Sequence, residues 1–290
     1  MNRRSFVGSC AVHIAARPDP PPNIVVVLAD DLGFGDLSCY GGKLPTPHAD
    51  RIAREGIRYS DAHSGSAVCS PSRYGVLTGR YCWRTSLRAG VLGPWDPPLI
   101  ERGRLTLPLM LKREGYHTAC IGKWHLGWVW PKGDDPRRFR EPIAEGPITC
   151  GFDSYFGVDV PNYPPYCFIE QDRTVGIPTD FRSQTNLDGL PGPMMPDWRP
   201  DHILPKLVDR AVRYIHGRAR SRQPFFLYFS LTSPHEPIAP SAKFRGKSGI
   251  NLTADFMLET DAAVGSVLRA LDVARRHRTE LDYLAGYESA

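Results

Sequence analysis

The chain has 290 residues, 41% of them hydrophobic, enough for one large domain or two small ones. Its net charge of +5 comes from 36 basic and 31 acidic residues mixed along the chain, which leaves no nucleic-acid footprint. A mild basic bias suits an anionic substrate, and a solvated surface explains it equally. No apolar run is long enough to cross a membrane, and seven cysteines without a Cys-x-x-Cys pair argue against a zinc ribbon or redox dithiol.

The start, Arg3-Arg4-Ser5-Phe6-Val7, has the form of a twin-arginine export signal, followed by a short apolar stretch that contains His13. It predicts a periplasmic or extracellular protein. Val7-Gly8-Ser9-Cys10 looks like a lipoprotein cleavage box but precedes any proper apolar region. Residues 17–22 are Pro-rich, so residues 1–22 read as signal and linker. Residues 23–29, Asn-Ile-Val-Val-Val-Leu-Ala, read as a central strand buried on both faces. Asp30 and Asp31 follow at its carboxyl end, where ligands gather in open α/β sheets. Adjacent carboxylates repel unless a cation or donors balance them, and such oxygens suit Ca²⁺ or Mg²⁺ over soft metals. A solvated Asp-Asp turn explains the pair as well.

Thr46-Pro47 predicts a helix start, with Thr46 as cap, an apolar stripe of Ala49, Ile52 and Ala53, and Gly56 as the end. Residues 57–62 alternate and read as a strand. Residues 63–68 form the loop that delivers Cys69 to a helix, with Ser70 as its cap and Pro71 in its first turn. A cysteine at a helix N-terminus, with Arg73 four residues on, is expected to have a lowered thiol pKa and to be reactive. A buried structural cysteine is the other reading.

Cys69-Ser70-Pro71-Ser72-Arg73, followed by Leu77-Thr78-Gly79-Arg80, closely resembles the signature of the sulfatase family. Three further stretches share the likeness. Gly33-Phe34-Gly35-Asp36-Leu37 continues the acidic pair. Residues 46–56 resemble the family's early helix, with His48 where Asn is usual. Residues 115–127, which include Gly122-Lys123-Trp124-His125-Leu126-Gly127, fit the second family signature.

Residues 105–114 predict a helix closed by Gly115, and residues 116–122 a second parallel strand that presents Lys123 and His125 on the ligand side. Residues 130–200, rich in Pro, Gly and charge, read as long loops over the site. Residues 151–157 resemble a family turn segment, and Tyr163, Tyr166, Phe168 and Trp198 are expected to pack beneath the loops or line a pocket. An amphipathic helix over 201–219, a buried strand over 224–231 and a helix over 252–271 complete the pattern. Ser233-Pro234-His235-Glu236-Pro237 matches the family's Pro-His-x-Pro turn.

The resemblance implies an α/β fold of the alkaline phosphatase-like kind, a mostly parallel central sheet with helices on both faces. It covers residues 23–272, an incomplete catalytic domain. Family members continue into another strand, which ends in an Asp-Asn or similar pair completing the metal site, and then into a C-terminal subdomain. Residues 273–290 show no such pair and are expected to form no strand, an aberrant tail that leaves the fold without its C-terminal strands. The expectation is a marginally stable chain with an unpaired sheet edge and weak or no activity.

The resemblance also implies the chemistry. Cys69 would be converted to formylglycine by a maturation enzyme, and its hydrated aldehyde would attack a small-molecule or glycan sulfate ester. Asp30, Asp31 and residue 69 would hold Ca²⁺, or less readily Mg²⁺. Lys123 and His235 would bind the sulfuryl oxygens, and Arg73 and His125 would position the diol. A phosphoesterase of the same superfamily and an inactive sulfatase-like protein are the rivals. The first is disfavoured by the cysteine signature and the scarcity of Asp/His clusters.

Overall fold

A computed structural model describes residues 21–186, 188–275 and 284–287. The twin-arginine stretch and Cys10 lie outside the described residues. The β-branched run forms β1 (Ile24–Asp30), with every residue after Ile24 buried. Then come α1 (Pro47–Glu55), α2 (Cys69–Thr78), α3 (Leu107–Arg113) and β2 (His117–Lys123). Short strands follow: β3 (Ser154–Val158), β4 (Ile169–Glu170), β5 (Arg173–Thr174), β6 (Asp180–Arg182) and β7 (Gly192–Met194). The last elements are α4 (Ile203–Arg218), β8 (Phe225–Pro234), α5 (Leu252–Arg275) and β9 (Leu284–Tyr287).

The main sheet has the order β5-β4-β3-β2-β8-β1-β9. The five strands from β3 to β9 are parallel, while β4 and β5 add an antiparallel margin. A separate hairpin pairs β6 with β7. Side chains alternate across the sheet as the strand period demands. Val25, Val27, Ala119, Leu227 and Phe229 join one core with Leu207, Ala211, Val264 and Leu268 of α4 and α5. Val26, Leu28, Cys120, Phe226 and Tyr228 join the other with Tyr74, Leu77 and Leu111 of α2 and α3. Each fully buried Val, Leu or Phe contributes about 1.5–3 kcal/mol. The α/β sheet with helices on both faces is therefore present as expected.

Four local expectations differ. Residues 57–62 form no strand; Ile57 is 75% and Tyr59 60% exposed, because no neighbouring strand offers them an edge. Residues 154–158, inside the expected turn, are strand β3, since Tyr155 and Phe156 are buried between β2 and β4 while only the flanks carry turn residues. The outer edge of β1 is not bare: β9 pairs parallel with it, Val26 opposite Leu284 and Ala29 opposite Tyr287. Leu-Ala-Gly-Tyr is too short, and too poor in β-branched residues, to announce a strand. Finally, Thr46 holds the expected N-cap position of α1, but its side chain makes no capping hydrogen bond. Its hydroxyl accepts from Ser38 N at 2.9 Å, and Asp261 of α5 accepts from His48 N at 3.2 Å and Ala49 N at 2.9 Å instead.

Candidate active site

Parallel strands end together, so β1, β2 and β8 deliver Asp30, Lys123 and the turn holding His235 to one edge of the sheet. The strands approach closely there. Gly122 has φ +125°, and a Cβ on it would occupy the place of the Ser230 carbonyl of β8. Asp31, at φ 60°, and His125, at φ 52°, sit in the left-handed region that turns each chain out of its strand. The N-terminus of α2 faces this edge. Val68 is its cap and Cys69 its first residue, so Ser70 is not the cap; the buried Ser70 hydroxyl accepts from Leu92 N at 3.2 Å.

Cys69, Asp30, Lys123 and Arg73 make one sealed cluster, the last three fully buried. Lys123 Nζ lies 3.1 Å from Cys69 Sγ and 2.7 Å from Asp30 Oδ2. Cys69 Sγ lies 3.5 Å from Asp30 Oδ1, which also accepts from Arg73 Nη2 at 3.0 Å. Arg73 Nη1 donates to the Lys123 carbonyl at 3.3 Å and to Ser230 Oγ. His235 Nε2 stands 3.6 Å from Asp31 Oδ2, and its ligand atom lies within 4.8 Å of those of Asp30 and Cys69. Asp31 thus reaches the cluster through His235. Its side chain is 35% exposed and touches neither Lys123 nor Arg73 in the hydrogen bonds described.

Electrostatics here depart from the expected reactive thiol. The Cys69 thiol is pushed up to about 11, by burial first and by the Asp30 carboxylate second, against the pull of Lys123 and Arg73. A helix N-terminus cannot lower a thiol pKa when an ionised carboxylate sits beside the sulfur in a dry pocket. Burial also pushes Asp30 upward, but Lys123 and Arg73 outweigh it and hold the carboxyl well below the usual range. Lys123 is held above its ordinary value, as Asp30 overcomes the cost of burial.

His125 is driven well below its ordinary value by burial and then by Lys123, so the ring is neutral. Its Nε2 lies 2.9 Å from the Leu92 carbonyl and therefore carries the proton and donates. That leaves Nδ1 as a buried acceptor with no hydrogen-bond partner among the described residues. Tyr163 stands edge-on to the ring at 5.5 Å between centroids, so among the loop aromatics this one borders the site. Tyr166 and Phe168 are buried, and Trp198 packs on Phe168 at 5.2 Å.

Sequence reasoning missed two residues that touch this cluster. Asp159 Oδ1 accepts from His125 N at 3.1 Å; its position one residue past β3, like Asp30 at the end of β1, was the available signal. Ser230 bonds Arg73 and is signalled only as a polar residue within an apolar strand. A cleft of about 700 Å³ between α4, α5 and residues 241–244 holds none of these groups.

The donor set can be tested against a divalent cation. Asp30 and Asp31 offer hard oxygens at a strand end, which fits part of a Ca²⁺ or Mg²⁺ site needing about six to eight ligands. The thiol does not fit such an ion; an oxygen-bearing group at residue 69 would.

A family model, Sulfatase, matches residues 22–285. The chain is 32% identical over 289 residues to an N-acetylgalactosamine-6-O-sulfatase of Bacteroides thetaiotaomicron, covering 87% of this chain and 55% of that protein. It is 34% identical over 270 residues to human arylsulfatase A, covering 87% and 48%. A solved structure from a study of glycosaminoglycan metabolism by Bacteroides thetaiotaomicron superposes with a TM-score of 0.78 at 31% identity, covering 88% of this chain and 60% of that one. The chain thus spans about half the length of the curated relatives it matches.

Proposed function

The chain belongs to the sulfatase family, and on that premise we propose that it hydrolyses sulfate esters of a sugar or an aryl alcohol, with residue 69 converted to formylglycine by a maturation enzyme. The hydrated formylglycine would supply an oxygen nucleophile for sulfur and a second hydroxyl to expel sulfate. Asp30 and Asp31 would hold a divalent cation, Ca²⁺ ahead of Mg²⁺, which polarises ester and nucleophile.

The remaining work falls to side chains already in place. Lys123, fixed 3.1 Å from the residue-69 side chain, neutralises charge on the sulfuryl oxygens, where a dry ammonium acts far more strongly than in water. His235 donates to a sulfuryl oxygen from Nε2 as an imidazolium, with its Nδ1–H held on the Glu236 carbonyl. Arg73 keeps Asp30 ionised and aligned. His125 keeps Nε2–H on Leu92 and turns Nδ1, a bare acceptor, to orient a hydroxyl on residue 69.

One observation carries this reading: an ammonium and a carboxylate converge on the Cys69 sulfur at 3.1 and 3.5 Å, at the N-terminus of α2. The test is aryl sulfate hydrolysis by chain co-expressed with a maturation enzyme, its Cys69 peptide checked for a mass about 18 Da below cysteine. Loss of hydrolysis in Cys69→Ala is expected. Unchanged hydrolysis by that variant rejects the mechanism. Export belongs to the same proposal, and Arg3→Lys/Arg4→Lys should hold a tagged chain in the cytoplasm; normal export of that variant refutes it.

A further inference from the structure

The unconverted thiol sits among groups that suit a different class of ion from the one a hard-cation site would take. Cys69 Sγ and Asp30 Oδ1 are 3.5 Å apart, and His235 Nε2 and Asp31 Oδ2 are 3.6 Å apart. A tetrahedral zinc ion, with bonds of about 2.3 Å to sulfur and about 2.0–2.2 Å to nitrogen and oxygen, sets sulfur–oxygen edges near 3.5 Å and nitrogen–oxygen edges near 3.4 Å. Two opposite edges of such a tetrahedron are therefore already close to size. The ligand atoms of Asp30, Cys69 and His235 lie within 4.8 Å of one another, so three corners stand close to place, while Asp31 meets the group through His235 and must turn inward to supply the fourth.

His235 is oriented for the task. Its Nδ1 lies 2.6 Å from the Glu236 carbonyl, which fixes the proton there and leaves Nε2 bare toward the acids. A metal-binding histidine is commonly held this way, by an outer hydrogen bond on its other nitrogen. One thiolate, one imidazole and two carboxylates form a set that favours Zn²⁺ or Co²⁺ and disfavours an alkaline-earth ion.

We infer that Asp30, Asp31, Cys69 and His235 of the unconverted chain form a binding site for a borderline divalent ion of the zinc type. Binding releases the Cys69 proton to solvent and forms the sulfur–metal bond. The standing competitors are Lys123, whose ammonium contacts both Cys69 Sγ and Asp30 Oδ2 and must withdraw as the ion enters, and Arg73, whose Nη2 shares Asp30 Oδ1 with the ion. Conversion replaces sulfur by oxygen and removes the ligand that selects zinc. That last consequence rests on the reading of residue 69 given above; the site in the unconverted chain does not.

The experiment uses the full chain made in a host without the maturation enzyme, with its cysteine confirmed by peptide mass. Co²⁺ titration should saturate at one equivalent, with a thiolate-to-cobalt charge-transfer band and the intense visible bands of four-coordination. Zn²⁺ should bleach both. Cys69→Ser, closest in size, and Cys69→Ala should lose the charge-transfer band. His235→Ala should weaken Zn²⁺ by more than about 100-fold, beyond the 10–100-fold typical of outer-shell losses. Lys123→Gln should bind more tightly than the parent.

Absence of the band in the parent chain overturns the inference, as does its persistence in both Cys69 variants or unchanged Zn²⁺ affinity in His235→Ala. The two readings fail separately. Cys69-dependent sulfate hydrolysis after conversion, with no cobalt band before it, removes the zinc site alone. A cobalt band in a protein whose hydrolysis ignores Cys69 removes the hydrolase mechanism alone.

Discussion

Strands β2 and β3 carry titratable groups at both ends, and the two edges of the sheet treat them differently. At the entry edge, Asp153 meets Lys112 Nζ at 2.6 Å with side chains 25% and 47% exposed, and accepts from Thr118 N at 2.9 Å. Burial pushes the Asp153 carboxyl up, but Lys112 and the Thr118 N–H outweigh it and hold it low. At the exit edge, Asp159 is sealed and burial wins: its carboxyl rises to about 6, because the pulls of the Trp128 and His125 N–H groups, Lys123 and Arg73 are too weak to offset it. Lys123 and Asp30, equally sealed, survive as ions because they hold each other and Arg73 holds Asp30 from its other oxygen. Depth and partner, not residue type, decide which charges matter. The exit edge is where the chain concentrates both.

Breaking the buried pair should give the largest effect. Asp30→Ala leaves Lys123 and Arg73 without their shared carboxylate, and about 3–5 kcal/mol of stability should be lost in chemical denaturation. A loss below about 1 kcal/mol would mean that water already reaches the cluster. The sign with pH follows from the depressed folded pKa of Asp30. Its contribution is complete above about pH 4, the unfolded value, and fades as the solution is acidified below that. Asp30→Ala should lack this part of the acid limb.

Asp159→Asn sharpens the contrast at intermediate size. With a folded pKa of about 6, above the unfolded value of about 3.9, the native state holds the extra proton between them. Stability from this group therefore falls as pH rises from about 4 to 6. Asn keeps an acceptor for His125 N and removes the slope. Melting temperatures that still decline across that window in the variant would assign the titration to another group. The smallest effect belongs to the entry edge: Lys112→Ala should cost less than about 1 kcal/mol, being half exposed. A larger cost in the same denaturation assay would erase the distinction between the edges.

Much of this was readable before any coordinates. Val25-Val26-Val27 could only be a doubly buried strand, and the acids placed after it had to stand at a sheet edge. Lys123 and His235 were singled out through the family resemblance, and they stand at and just past the carboxyl ends of β2 and β8. What stayed hidden depended on contacts made at long range. Asp261 serves the N-terminus of α1 from 212 residues away, so the capping hydrogen bond that Thr46 is positioned to make comes from elsewhere. The Cys69 pKa was misjudged because the helix end is local and visible, whereas Asp30, 39 residues distant, sets the sign. β9 shows in backbone pairing, which leaves little trace in four residues.

The position of β8 bears on how the chain is made. It fills the gap between β1 and β2, and the Asn23 side chain accepts from Phe225 N, 202 residues later. A ribosome adding about 5–20 residues per second needs roughly 10–40 s to cover that distance. Ile24–Asp30 waits through all of that interval and His117–Lys123 through about its second half, two greasy ribbons with no rung yet available to join them. Chaperone occupancy during synthesis should therefore fall sharply once Pro234 has cleared the exit tunnel.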